Sequence, residues 1–135
     1  MRYYYFYPSN HFRLARQFTE EEDIVVTEDA FHGNLGVLID ISPKMHSYVP
    51  NYKVKDFVHI TPLPMKYRRS NLISDSEPPA DLVGDDLDQW VARKCADKVE
   101  QAFVETENKG RGIAAFICEP CFVSVHILFK IKALK

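Results

Sequence analysis

The stretch from residue 24 to residue 43 limits the possible folds more than any other part of the chain. It opens with the β-branched run Ile24 to Thr27, which favours a buried strand, and continues through a polar turn into an amphipathic segment. A strand that leads through a turn into a helix is the repeating unit of α/β folds. In open α/β sheets, ligands bind at the carboxyl ends of the strands. The turn after Thr27 is therefore the first candidate for a functional site.

Two further apolar runs have the length of strands, and one long segment has helical periodicity. Phe57 to Thr61 and Ile113 to Cys118 are the predicted strands, and the second is apolar throughout, as in a sheet covered on both faces. Asp85 to Lys109 is a predicted amphipathic helix, with Gly110 just past its end. Its apolar stripe consists of Leu87, Val91, Cys95, Val99 and Phe103. We predict an α/β fold in which the strands form one mainly parallel sheet with this helix on one face.

Shorter elements are predicted around this framework. Asn10 to Phe18 is predicted to be a helix with Ser9 as its N-cap and with Leu14 and Phe18 on one face. A helical segment with Leu35, Leu38 and Ile39 comes after the first turn. It is predicted to end at Ser42-Pro43, because the residue before proline avoids the helical region. Lys44 to Lys55 is a predicted polar loop. Val123 to Ile131 alternates apolar and polar residues, as a half-buried strand does.

Composition excludes several classes of function. The chain is 46% hydrophobic and 27% charged with a net charge of −2, so it gives no electrostatic reason to expect a nucleic-acid or membrane partner. No apolar run approaches the roughly 18 residues of a spanning helix, and the first ten residues lack a secretory signal. Its three cysteines, an odd number, favour a reducing compartment. We expect an intracellular protein, mitochondrial or cytoplasmic.

The candidate site residues lie at the ends of two of the predicted strands. Phe31, His32 and Gly33 lie in the first turn, and Glu119 ends the apolar run that begins at Ile113. The first turn follows a strand, at the edge where open α/β sheets bind their ligands. The structural alternatives are a core position for Phe31 and a surface carboxylate for Glu119.

Two other motifs offer weaker hypotheses. Cys118 and Cys121 form a CxxC pair of the kind found in thiol-redox proteins, but the sequence after Cys121 has a strand pattern rather than that of the helix that lowers a thiol pKa. A zinc site would need two more ligands, and no second pair is present. The basic cluster Lys66 to Arg69 is either a phosphate-binding element or a solvated loop.

Six pieces of the sequence, in their order and spacing, resemble one known family. They are LARQF, IVV, AFHGNLG with LIDISP, FVHITPLP and GRGIAAFICEP. Together they resemble the class III pyridoxal-phosphate (PLP) aminotransferases, and in particular the subgroup of alanine–glyoxylate aminotransferase 2 and the phospho-lyases of ethanolamine phosphate and phosphohydroxylysine. The resemblance covers residues 10–120, with residues 1–9 and 121–135 as divergent segments. It implies an incomplete large domain of the aspartate-aminotransferase-like, three-layer α/β/α fold.

The resemblance also implies a site and a reaction. Phe31 would stack on the PLP ring, with His32 and Gly33 beside it and Glu119 at the end of a neighbouring strand. The family reaction is transamination, or phosphate elimination from an amino-alcohol phosphate, and a homodimer or a full-length relative is the implied partner. The family's glycine-containing phosphate turn is replaced here by YYYFYPSNHF, and no lysine matches the Schiff-base position. The chain alone is therefore expected to be inactive; a non-catalytic remnant and a small thiol-redox protein are the alternatives.

Overall fold

The protein has an α/β fold built on three parallel strands. The computed structural model describes residues 8–65 and 78–119. In chain order its elements are α1 (Pro8–Thr19), β1 (Asp23–Thr27), α2 (Val37–Asp40), α3 (Pro43–His46), β2 (Val58–Thr61), α4 (Gly84–Asn108) and β3 (Ile113–Ile117). Four sequence predictions lie outside the described residues: the aromatic start, the basic cluster Lys66–Arg69, Cys121 and the strand Val123–Ile131.

The three strands form one sheet in the order β2-β1-β3, and both pairings are parallel. The central strand β1 pairs through Val25 with His59 on one side and with Phe116 on the other. Every residue of β1 is buried, as its β-branched sequence predicts for a strand with neighbours on both sides. The predicted parallel sheet is therefore confirmed.

Helices cover both faces of the sheet. Ile24 and Val26 point to one face, where they form a core with Phe12 of α1 and with Leu38 and Ile41 of the segment after the turn. On the opposite face α4 packs against β1 and β2. Parallel strands require crossover connections. The connections from β1 to β2 and from β2 to β3 run in opposite directions across the sheet, so two right-handed crossovers place their helices on opposite faces. The result is a three-layer arrangement.

Strand β3 differs from its prediction as a strand covered on both faces. Only Ala114 is buried, and Phe116 is 40% exposed. Among the described strands β3 is outermost and has a neighbour on one side only. An apolar composition therefore identified a strand of this sheet but not its degree of coverage.

Helix α1 also differs from its prediction in detail. It begins at Pro8, whose fixed φ suits the first turn of a helix, so Ser9 lies inside the helix instead of capping it. Leu14 and Phe18 do share a face, but they are 65% and 88% exposed. Phe12 is the residue that faces the core, at 5% exposure. Helical spacing alone could not select which face the sheet would cover.

The predicted single helical segment after the turn divides into α2 and α3. Ser42 precedes Pro43 and leaves the helical conformation, and Pro43 then begins α3. Helix α3 therefore occupies the start of what the sequence predicted to be a polar loop. Leu38 joins the core, whereas Leu35 is 79% exposed.

Helix α4 confirms its prediction within one residue at each end. Its C-terminal end is closed by two hydrogen bonds, from the Gly110 N–H to the Glu107 carbonyl at 2.8 Å and from the Arg111 N–H to the Thr106 carbonyl at 3.1 Å. This is a Schellman motif, and Gly110 has the positive φ of 72° that the motif requires. The predicted stripe is buried at Val91 and Cys95. It turns towards solvent at Phe103, and the fully buried Thr106 takes its place at the sheet. None of the helices in the described parts of the chain combines the length and apolarity that crossing a bilayer requires.

Candidate functional site

The turn after β1 lies at the carboxyl edge of the sheet and is fixed to its neighbours by hydrogen bonds. The Glu28 N–H donates to the Thr61 carbonyl at the end of β2 at 2.8 Å. The Glu28 carboxylate accepts from the Leu63 N–H at 3.0 Å. Asp29 has a φ of 57°, in the left-handed region, and this sharp turn redirects the chain towards the aromatic residue. The ends of β1 and β2 are therefore joined at the base of the turn.

Phe31 and Glu119, which the sequence singled out separately, are in direct contact. The Phe31 N–H donates to Glu119 Oε1 at 2.6 Å, although the two residues are 88 positions apart. Glu119 comes after β3, so this contact connects the ends of two adjacent parallel strands. The Phe31 side chain is 40% exposed. Its backbone is thus held while part of its ring remains open to a ligand.

His32 has a half-buried ring with an unusual environment. Its Nε2 atom is buried and has no hydrogen-bond partner among the residues that the structure describes. Burial lowers the His32 pKa from 6.5, and the negative charge of Glu119 partly opposes this shift. The lowered pKa favours the neutral imidazole at pH 7. A buried imidazole nitrogen without a partner is uncommon, and it is the kind of atom that a bound group would satisfy.

Gly33 has a backbone conformation that other residues rarely adopt. Its φ is 138°, and a Cβ atom at this position would lie 2.8 Å from Leu38 Cδ1. Leu38 belongs to the core beneath the turn. A glycine is needed here because the turn passes directly over α2.

Sequence reasoning missed the residue that holds the other side of the turn. The His32 N–H donates to Ser42 Oγ at 2.8 Å, and Ser42 Oγ donates to the Leu38 carbonyl at 2.6 Å. Ser42 is fully buried. The only signal in the sequence is a serine before Pro43, a pattern that predicts the end of a helix and nothing more.

The thiols and the metal-ligand residues form no site in the described residues. Burial raises the pKa of the Cys118 thiol, whereas a redox thiol needs a lowered one. Burial likewise raises the Cys95 pKa to about 12. Residues 8–65 and 78–119 contain no group of three His, Cys, Asp or Glu side chains suited to a metal ion. Among the candidate site residues, the structure brings the turn together with Glu119.

Comparison with known proteins finds relatives of the chain among aminotransferases and phospho-lyases. It is 28% identical over 107 residues to ethanolamine-phosphate phospho-lyase homolog 1 of Caenorhabditis elegans, which covers 79% of this chain and 22% of that protein. It is 30% identical over 107 residues to an alanine–glyoxylate aminotransferase 2-like protein of Drosophila melanogaster, covering 79% of this chain and 20% of that one. No family model matches the chain.

The fold agrees with this relationship. A crystal structure of an amine transaminase from an uncultivated Pseudomonas species, in its PLP-bound form, superposes with a TM-score of 0.61 at 17% identity. The match covers 84% of this chain and 24% of the transaminase. Together the curated relatives and the structural neighbour support a relationship to the class III aminotransferase family. The chain spans about a fifth of the length of the curated relatives it matches.

As a class III aminotransferase relative, the chain can be tested for its fit to PLP. The partly exposed Phe31 and the His32 Nε2 atom, which has no partner within residues 8–65 and 78–119, lie on one turn at the carboxyl edge of the sheet. An aromatic face and a polar atom suit a flat, polar heterocycle. The residues present therefore fit one side of the cofactor. The sequence before α1 lacks the glycine of the family's phosphate turn.

Proposed function

We propose that this chain provides the stacking wall of a PLP site, in an enzyme of the aminotransferase or phospho-lyase type. The observation that supports this most is the contact between Phe31 and Glu119. The 2.6 Å hydrogen bond from the Phe31 N–H to Glu119 fixes the backbone of the aromatic residue, and the residue as a whole remains 40% exposed. A ring held in this way presents a fixed face to a flat ligand, at the edge of the sheet where α/β folds bind ligands.

Each site residue has a separate role in the proposal. PLP, when bound, supplies the electron-withdrawing ring that this type of chemistry depends on. Phe31 stacks against that ring, and Gly33 lets the turn lie close to α2. His32, neutral because burial lowers its pKa, offers its unpartnered Nε2 as a hydrogen-bonding atom. Glu119 holds the turn through the Phe31 amide.

We further propose that the 135-residue chain does not catalyse the reaction by itself. The family's cofactor-binding lysine and phosphate turn have no match in its sequence. A second polypeptide that carries both features, such as a full-length relative, would have to complete the site. The substrate class is an amine or an amino-alcohol phosphate, by analogy with the named relatives. Residues 10–120 form the family-related unit of the proposal.

Pyridoxamine 5′-phosphate tests the stacking wall directly, because it lacks the aldehyde and cannot link to a lysine. We expect saturable binding to the 135-residue chain with a Kd on the order of 1 mM, as for a site with few polar contacts. Phe31→Ala should weaken this binding by about fivefold, since ring stacking contributes on the order of 1 kcal/mol. Phe18→Ala is the matched control, because Phe18 is 88% exposed on α1 and belongs to no proposed site. Equilibrium dialysis measures the affinity of the wild type and of both variants for pyridoxamine 5′-phosphate.

The aldehyde form tests the proposed lack of catalysis. After incubation with PLP and removal of free cofactor, we expect no stoichiometric visible absorption band. A band that survives dialysis would contradict the statement that no lysine of this chain holds the cofactor. Equal affinity of wild type and Phe31→Ala for pyridoxamine 5′-phosphate, or no binding by either, would overturn the stacking wall.

A further inference from the structure

We propose that Ser42 is a positioning residue of the candidate site, whose hydroxyl sets the placement of Phe31 and His32. This inference deepens the proposed function and rests on it for its purpose, but the hydrogen bonds that support it are independent of any cofactor. Two side chains hold two consecutive backbone amides of the turn. Glu119 accepts from the Phe31 N–H at 2.6 Å, and Ser42 accepts from the His32 N–H at 2.8 Å.

The two anchors approach from different layers of the fold. Glu119 lies just past β3, at the edge of the sheet, whereas Ser42 lies between α2 and α3 on the face that these helices cover. A turn held at one point can pivot about that point. A turn held at two consecutive amides from two directions cannot, so the Cα–Cβ bond of Phe31 points in a fixed direction. Preorganised side chains of this kind reduce the entropy that binding a ligand costs.

The chemistry at Ser42 requires a hydroxyl group. Its oxygen accepts the His32 N–H and at the same time donates its single proton to the Leu38 carbonyl at 2.6 Å, with the Gly33 carbonyl at 3.3 Å as a second acceptor. An alanine could do neither, and a cysteine would offer only a weak sulfur acceptor. Because Ser42 is fully buried, water would not readily replace the lost group.

The segment that carries Ser42 is itself well fixed. The Lys44 N–H donates to the Ala30 carbonyl at 3.2 Å, which ties the start of α3 to the residue before Phe31. The Tyr52 hydroxyl donates to Asp40 Oδ1 at 2.7 Å, and its ring stacks on His46 with centroids 4.2 Å apart. Ser42 therefore positions the turn relative to a segment that is itself held by hydrogen bonds, and not relative to a free loop.

Hydrogen–deuterium exchange in the cofactor-free chain tests the role of Ser42. Mass spectrometry can follow the exchange of individual backbone amides at low protein concentration. We expect Ser42→Ala to accelerate exchange of the His32 amide on the order of tenfold, while the amides of β1 change little. Ser42→Thr, which retains the hydroxyl, should restore protection to within a factor of about three. Ser47→Ala is the matched control, because Ser47 is exposed and donates only to the Lys44 carbonyl.

If Ser42→Ala does not fold, Ser42→Cys replaces it as the test variant. Cysteine is nearly isosteric with serine, so the fold should be retained, and it lacks a strong hydrogen-bond acceptor. Faster exchange confined to the turn in either variant supports the proposal. Exchange of His32 within twofold of wild type, or an equal increase along β1, would overturn it. Pyridoxamine 5′-phosphate provides the second arm, in which Ser42→Ala should lower affinity severalfold and Ser47→Ala should not. If the wild-type chain fails to bind this ligand, the proposed function is wrong, and the exchange data still decide the role of Ser42.

Discussion

Phe31 is fixed through its backbone, and this leaves its side chain available for contact with a ligand. Its amide is held by Glu119 and the next amide by Ser42. Gly33 then allows the chain to pass over Leu38 without collision. Each of these features concerns the main chain, so a substitution that disturbs the main chain should affect the site as strongly as loss of the ring itself.

Gly33→Ala tests the space available at the turn. The φ of 138° and a Cβ contact of 2.8 Å to Leu38 would both oppose the alanine. We expect a loss of about 3 kcal/mol in the free energy of unfolding, from backbone strain together with overpacking. Gly110→Ala is the control, because Gly110 also has a positive φ, 72°, in the left-handed conformation of its Schellman motif, but open space around it. It should lose only about 1 kcal/mol. Urea denaturation measures both, and equal losses would contradict the steric argument.

The charge of Glu119 should be detectable in the titration of His32. The His32 pKa is lowered from 6.5 by burial, so the folded state binds a proton less readily than the unfolded state does. Stability from this group is fully present above pH 6.5 and decreases as the pH falls through the lowered folded-state pKa. Glu119→Gln removes the charge that raises the pKa but keeps an acceptor for the Phe31 amide. We expect the His32 pKa to fall further in this variant.

Exchange of the His32 ring C2 hydrogen, followed by mass spectrometry across pH, measures this pKa at low protein concentration. Glu119→Asp is the control, because it retains the negative charge. An unchanged or higher pKa in Glu119→Gln would show that the carboxylate does not act on His32 as the structure indicates.

Asp23 links elements on the opposite, amino-terminal edge of the sheet. It is 1% exposed, and its carboxylate accepts from Arg111 Nε at 3.0 Å and contacts His59 Nε2 at 2.6 Å. His59 also contacts Thr106 Oγ1 at 3.4 Å. The Schellman turn after α4 delivers Arg111 to this position. One carboxylate thus joins β1 to β2 and to the segment between α4 and β3.

Asp23→Asn should therefore weaken the contacts among these elements. We expect a loss of about 2 kcal/mol in the free energy of unfolding, less than the roughly 3–5 kcal/mol of a fully buried pair because the Arg111 side chain is 36% exposed. Asp56→Asn is the matched control on the same arginine. The Asp56 carboxylate lies 3.3 Å from Arg111 Nη1 and is 86% exposed, so its loss should change stability by less than about 0.5 kcal/mol. Comparable losses in both variants, measured by denaturation, would contradict a central role for Asp23.

Sequence patterns predicted those elements whose character is local. The β-branched run predicts β1, and the four-residue spacing of apolar residues predicts α4. Both patterns arise because burial on a sheet or along a helix distributes apolar residues regularly in the sequence. Phe12 could not be selected over Phe18, because both suit a helix and the position of the sheet decides between them. Ser42 and Arg111 were missed for the same reason. Their partners, the His32 amide and Asp23, are brought close only by the tertiary fold.

The candidate site was predictable in part, through its order in the chain. Strand, turn and glycine placed Phe31 to Gly33 at a ligand-binding edge, and the apolar run before Glu119 placed that residue at the end of another strand. Parallel pairing then brings the two ends together. No pattern in the sequence predicted that the Glu119 carboxylate would accept from the Phe31 amide, because main-chain hydrogen bonds to distant side chains leave no periodic signal.

The whole molecule has more exposed apolar surface than its three-layer core would suggest. Besides Phe116 on β3, Leu14 and Phe18 project from α1, and Leu35 and Val83 are 79% and 74% exposed. Single exposed apolar residues are ordinary, but several large ones on a chain of 135 residues favour association. The 107 aligned residues make up only about a fifth of each relative, so comparable surfaces in those proteins have far more chain available to cover them.

We therefore expect the isolated chain to associate at high concentration or to unfold with weak cooperativity. Size-exclusion chromatography and thermal melting, each at several protein concentrations, measure this. Association should increase with concentration, because the exposed apolar side chains gain cover only from another molecule. Leu14→Ser combined with Phe18→Ser should reduce it without loss of the fold, since both positions lie on the exposed face of α1. The matched control is Phe12→Ser, which replaces a core residue of the same helix and should unfold the chain. A monodisperse wild-type monomer with a sharp, concentration-independent melt would defeat this expectation, and would show that the 135 residues form a self-sufficient domain.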